Sequence, residues 1–194
     1  MSKHLRVAAV ALSSCLAFSA QAGTIPYPDV GSVAPANSFV AEGDGAVTAY
    51  FYDTSAAYTS RIGLWINGVS TGLYGLTNKT SSYGDSFFLG NANAGDELVF
   101  ELQVQNTNSS WYSLAFLNPD GNNHTYATDF GGDGLIPLGT YVSFEDVPGL
   151  GDKDYNDHQF VFTNIRNASV PEPLSLILFG LGAAALGFAR RRAA

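Results

Sequence analysis

Glu97-Leu98-Val99-Phe100-Glu101-Leu102-Gln103-Val104-Gln105 is the stretch that decides what kind of fold this chain adopts. Leu98, Phe100, Leu102 and Val104 alternate with Val99, Glu101, Gln103 and Gln105. A period of two sends successive side chains to opposite faces of a strand, one toward a core and one toward water. Outward from it the same texture recurs at residues 47–52, 61–66, 87–89, 111–117, 141–144 and 160–162. Turn signals separate these runs: Asn67-Gly68, Asn118-Pro119-Asp120-Gly121 and Gly131-Gly132-Asp133-Gly134. No segment between the N-terminal leader and residue 170 carries a helical apolar stripe, and no internal repeat is visible. Many short strands rich in tyrosine and phenylalanine predict an all-β domain, a β-sandwich of jelly-roll type.

The last two runs flank a different kind of segment. Between them lie Glu145, Asp146, Asp152, Asp154 and Asp157, with Asn156 as a neutral oxygen donor and Pro148, Gly149 and Gly151 breaking the chain. So many like charges in one loop repel unless a cation gathers them, and a hard divalent ion suits an all-oxygen set. Asp152, Asp154 and Asn156 match the opening of a calcium loop, D-x-[DN]-x-[DN]. The pattern then departs: the sixth position is Asp157 rather than glycine and the twelfth is Thr163 rather than glutamate, so a helix-loop-helix calcium hand is excluded. The expected cofactor is calcium. Asp152, Asp154 and Asp157 are the expected ligands, Glu145 or Asp146 closes the site, and Asn156 or a backbone carbonyl adds an oxygen. The competing reading is a solvated acidic turn whose aspartates cap bends.

Phe144 to Phe162, FEDVPGLGDKDYNDHQFVF, resembles the signature FED…GGGDxDYNDxVF of a family of domains of uncharacterised function found in secreted bacterial proteins. Upstream, Trp111-Tyr112-Ser113 and Asn118-Pro-Asp-Gly-Asn-Asn-His124 resemble the same family's WYS…NPDGxxH segment, so the likeness runs from about residue 95 to 165. The glycine run is interrupted by Leu150, and His158 stands where a small aliphatic residue is usual. The resemblance implies an extracellular β-rich module that binds calcium, and implies no established activity.

Residues 1–22 read as a secretory signal, with Lys3 and Arg6 ahead of an apolar run and Ala20-Gln21-Ala22 as the cleavage site. A lipoprotein box ending at Cys15 is the alternative. Cleavage after residue 22 removes the chain's single cysteine, so the exported domain, residues 23–169, has no disulfide and no thiolate ligand. The chain carries a net charge of −8, and only Arg61, Lys79, Lys153 and Arg166 supply positive charge within that domain. Such a surface argues against nucleic acid and anionic lipid as ligands. Residues 170–194 form the third segment: Pro171-Glu172-Pro173, an apolar run expected to be a helix, then Arg190-Arg191-Arg192. A helix over that run rises roughly 24 Å, a little short of a hydrocarbon core, which local thinning or snorkelling arginines accommodate, and it would anchor in the inner membrane with its basic end in the cytoplasm. The arrangement resembles the PEP-CTERM sorting signal, which implies processing by an exosortase and release to the cell surface or its exopolysaccharide.

Gly68-Val69-Ser70-Thr71-Gly72 fits the G-x-S-x-G of a nucleophile elbow, but Leu73-Tyr74-Gly75-Leu76-Thr77-Asn78 after it cannot open the helix that an elbow needs, and a hairpin turn at Asn67-Gly68 explains it. His124 and His158 are too few for a catalytic zinc site. The expected function is a non-enzymatic surface or biofilm-matrix protein. Two other classes remain open. One is a carbohydrate-binding module in which Trp65, Trp111, Tyr112, Tyr126 or Tyr155 stacks on sugar rings. The other is a secreted polysaccharide hydrolase using a carboxylate pair from Glu42, Glu97, Glu101 or Glu145.

Overall fold

A computed structural model describes residues 25–168. The signal segment and the sorting residues Pro171, Glu172, Pro173 and Arg190 to Arg192 lie outside them. The described residues form eleven strands, in chain order: β1 Ser38–Ala41, β2 Gly45–Asp53, β3 Ser60–Ile66, β4 Val69–Gly75, β5 Ser86–Ala92, β6 Glu97–Val104, β7 Ser109–Tyr112, β8 Thr125–Phe130, β9 Gly139–Phe144, β10 His158–Thr163 and β11 Ile165–Ala168. They form two sheets, one ordered β11-β1-β6-β3-β4 with β7 also on β6, the other β5-β2-β10-β9-β8. Each described pairing is antiparallel. The fold is the expected β-sandwich.

The alternation of β6 sets the core. Leu98, Phe100, Leu102 and Val104 point inward, where they join Phe39, Ile62 and Leu64 of their own sheet and Val47, Phe51, Val142, Phe144, Phe160 and Phe162 of the other. Phe100 stacks on Phe162 with centroids 3.9 Å apart, directly across the sandwich. The second sheet is covered on its outer face as well: Tyr52, Tyr141 and Val161 bury there with Ile136 from the loop after β8. That double burial explains why Phe160-Val161-Phe162 is apolar without alternation.

The run 111–117 is a strand only as far as Tyr112, and then becomes a 3₁₀ turn at Ala115–Leu117. Asn118 is the cause. Its Oδ1 accepts the Tyr112 amide at 2.7 Å and its Nδ2 donates to the carbonyls of Tyr112 and Asn122, curling the chain back where a partner strand would otherwise be needed. Asn67 (φ 49°) and Gly68 (φ 77°) make the two-residue hairpin between β3 and β4, and Ser70 lies within β4. The G-x-S-x-G sequence therefore occupies a hairpin arm, with no strand-to-helix elbow.

Candidate metal centre

The acidic loop connects β9 to β10, adjacent strands paired from His158–Phe144 onward, so its ends leave the sheet side by side. Glu145 and Asp146 continue β9, while Asp157 immediately precedes β10. Between them the backbone enters the left-handed region at Gly149, Leu150, Gly151, Lys153 and Tyr155. Non-glycine residues there cost roughly 1 kcal/mol each, so the surroundings must hold the path. The Tyr155 hydroxyl is buried between the Ala34 amide, from which it accepts at 2.9 Å, and the Asn123 carbonyl, to which it donates at 2.9 Å. The Lys153 carbonyl accepts the Gly31 amide, and the Asn156 and Asp157 carbonyls accept the amides of Ser55 and Ala56.

Beneath the loop lies a second support. Trp111 and His124 stack at 4.0 Å and 10°. The Trp111 indole N–H donates to the Asp146 carbonyl at 2.8 Å, and His124 Nδ1 donates to the Glu145 carbonyl at 3.0 Å. Asp120 lies 3.0 Å from His124 Nε2 and accepts the Gly149 amide. Burial works against ionisation of Asp120, yet the Gly149 and Asn122 amides and His124 hold its carboxyl well below the usual range. The NPDG…H segment thus braces the loop. In the sequence its residues read as a turn and as part of the family resemblance, with no role toward the loop, and the charge relation of Asp120 to His124 at four residues' spacing was the available signal.

This frame brings oxygens of Glu145, Asp152 and Asp154 within 4.8 Å of one another, with Glu145 buried, Asp154 half-buried and Asp152 exposed. An ion about 2.4 Å from each fits such a spacing. Gly151 passes close by: a Cβ there would stand 3.4 Å from Glu145 Oε2. Oxygens of the other three predicted residues are engaged in hydrogen bonds of their own. Asp146 accepts from buried His158 Nε2 at 3.1 Å, Asp157 accepts the Asp146 amide at 3.0 Å, and the Asn156 amide oxygen accepts from Ser55. Burial pushes the Glu145 carboxyl up to about 8, assisted by the negative charges of Asp157, Asp152 and Asp154 and opposed by the Tyr155 amide donating to it at 2.7 Å. Asp157 is raised by burial and by Asp146, and Asp154 by burial and Asp152. Burial lowers His158, with Asp146 opposing. Among the described residues the ion pairs are His124–Asp120 and His158–Asp146, so no lysine or arginine neutralises this group.

Two of the aromatic residues proposed to stack on sugars are placed against that role. Trp111 is 3% exposed beneath the loop, and Tyr155 is 1% exposed, because both serve as buried hydrogen-bonding struts. Tyr126 packs on Tyr27 at 5.0 Å. Trp65 and Tyr112 are half-buried on the outer face of the first sheet.

An antiparallel sandwich whose last hairpin carries an acidic, backbone-strained loop defines the class of domain. Residues 64–164 match the family described as domain of unknown function DUF4114, and the chain belongs to that family. Residues 169–193 match the PEP-CTERM protein-sorting motif, which marks an exported, surface-directed protein that is a substrate of an exosortase. Searches of curated proteins and of solved structures each returned no match.

Proposed function

We propose that the chain is a calcium-stabilised structural module of an exported surface or extracellular-matrix protein, without catalytic turnover. The observation that carries this reading is Glu145: a carboxylate only 1% exposed, beside two further carboxylates, with one amide donor and, among the described residues, no cationic side chain paired to it. A buried charge is costly unless paired or coordinated, and a divalent ion offsets all three acids at once. Asp152 and Asp154 supply the remaining side-chain oxygens. Magnesium fits less well, since it demands near-ideal octahedral geometry and gives up its waters reluctantly.

With no cysteine beyond the signal segment, the domain lacks disulfide cross-links, and an ion bound only to the folded state adds RT ln(1 + [L]/Kd). At a hundredfold excess over Kd that is about 2.7 kcal/mol. Exported to the cell surface, such a module would pack against exopolysaccharide or other matrix proteins of the biofilm.

Thermal melts in calcium, magnesium and chelator test the metal reading. Calcium is expected to raise the wild-type Tm by several degrees over chelator, magnesium by less, and Asp152→Asn with Asp154→Asn to abolish the calcium increment. A chelator that leaves the wild-type melt unchanged removes the ion from this function.

A further inference from the structure

We infer that the outer face of the first sheet is a saccharide-binding platform built on Trp65 and Tyr112, braced by Tyr74 and held in shape by the buried carboxylate of Glu101. The alternation that turns Leu98, Phe100 and Leu102 into the core turns Glu101 and Gln103 outward. Across the sheet the same row contains Tyr74, opposite Gly63, then Glu101, opposite both Gly63 and Tyr112. Glu101 should be exposed at such a position, yet it is 4% exposed. Its Oε2 accepts from the Trp65 indole N–H at 2.6 Å and the Tyr74 hydroxyl at 2.7 Å, and its Oε1 from Ser110 Oγ at 2.6 Å.

The core does not need this arrangement, since none of Trp65, Tyr74, Glu101 and Tyr112 belongs to it. What it achieves is orientation. Gly63 has no side chain, so the Tyr74 ring lies over its backbone: a Cβ there would meet Tyr74 Cε1 at 2.4 Å. Arg61 covers that ring at 4.8 Å and donates from Nε to Gln103 at 2.7 Å. Trp65 meets Tyr112 edge to face at 6.1 Å and 81°. With the polar edges of Trp65 and Tyr74 both tied to one carboxylate, their rotamers are fixed before any ligand arrives, which removes an ordering cost from binding.

The chemistry of the lining selects the ligand. Fixed aromatic rings suit the apolar C–H faces of pyranose sugars, while Arg61, Gln103, Ser110 and the Tyr112 hydroxyl surround them with groups that hydrogen-bond to sugar hydroxyls. An aliphatic partner would leave those polar groups unpaired. Arg61 is one of only four cationic side chains in the domain, so a strongly anionic polymer finds little here to bind. The described chain ends on β11, four strand spacings from β4 in the same sheet, or roughly 19 Å. Glu101 is a positioning residue, and Trp65 and Tyr112 make the contact. This inference does not depend on the metal reading.

The test is affinity electrophoresis of the purified exported protein in gels containing hydroxyethyl cellulose, dextran or alginate, with titration of tryptophan fluorescence in parallel. Because Trp111 is buried, a saccharide-dependent change reports Trp65, and Trp65→Phe should remove it. Retardation by at least one of the two neutral polymers is expected. Trp65→Ala and Tyr112→Ala should each weaken it roughly tenfold. Glu101→Gln should weaken it less, with a modest fall in Tm and an unchanged calcium increment. If Trp65→Ala does not fold, Trp65→Phe keeps the bulk, loses the bond to Glu101 and should behave like Glu101→Gln. Retardation by none of the polymers, or retardation that Trp65→Phe and Tyr112→Ala leave at the wild-type level, overturns the proposal. Alginate binding alone, abolished by salt, overturns it equally.

Discussion

At the scale of single residues the acidic loop turns on Glu145. Its carboxyl is raised to about 8 by burial first and by neighbouring acids second, so in the absence of a cation it is held largely as the neutral acid. Glu145→Gln keeps the shape and the oxygen that accepts the Tyr155 amide, while removing the charge. Without metal the variant should be more stable than wild type near neutral pH, by about 1 kcal/mol, because folding must hold the Glu145 carboxyl protonated above its ordinary 4.5, and an amide has no such cost. In calcium the order should reverse, with the variant losing the Tm increment that wild type gains. Urea unfolding with and without chelator measures both signs. A Glu145→Gln variant less stable than wild type in chelator would show that the carboxylate serves the fold directly. Asp157 should behave differently, since it accepts the Asp146 amide rather than joining Glu145, Asp152 and Asp154. The six oxygen-bearing residues of this loop were legible in the sequence as one acidic group. Which three converge was not, because that depends on left-handed backbone at Lys153 and Tyr155 and on His158 drawing Asp146 aside.

At the scale of elements, the start of β9 is where the two hairpin strands press hardest together. A Cβ on Gly139 would stand 2.3 Å from the Phe162 carbonyl oxygen on β10, and backbone cannot step aside as a side chain can. Gly139→Ala should therefore cost about 1–3 kcal/mol through strand displacement. Gly131→Ala, with nothing within 4 Å of its Cβ, should melt with wild type. Equal melting of the two variants would mean β9 slides freely on β10. Strands such as β2, β3, β6, β9 and β10 were readable because alternation or a doubly buried apolar run marks them. β4 was not readable as a run of its own, only as the far arm of the Asn67-Gly68 hairpin: Gly72 and Gly75 interrupt its strand-favouring residues, and pairing with β3 completes it. Neither were β1 and β11, four residues each. They pair with one another across 130 residues of sequence, a relation no local pattern can carry.

At the scale of the molecule, the buried titratable groups impose a pH dependence that a bound ion should invert. For Glu145 the folded-state carboxyl lies near 8 against an ordinary 4.5, so across that interval the metal-free fold binds more protons than the unfolded chain. Stability is then fully present below about 4.5 and is lost as pH rises toward 8, and Asp157 and Asp154, both raised, act in the same direction. His158 acts oppositely: burial lowers it from 6.5, so the unfolded chain takes up its proton first and stability falls as pH drops below that value. The metal-free protein should accordingly be most stable in mildly acidic solution, weaken from pH 6 to about 8 and level off above that. Bound calcium requires ionised carboxylates, so in calcium this loss should vanish, while acidification should weaken the complex as protons compete for Glu145, Asp152 and Asp154. Melts at constant ionic strength from pH 4.5 to 9, in calcium and in chelator, give two curves that should diverge as pH rises. Curves that stay parallel over this range would mean that the buried carboxylates and the ion do not share a site.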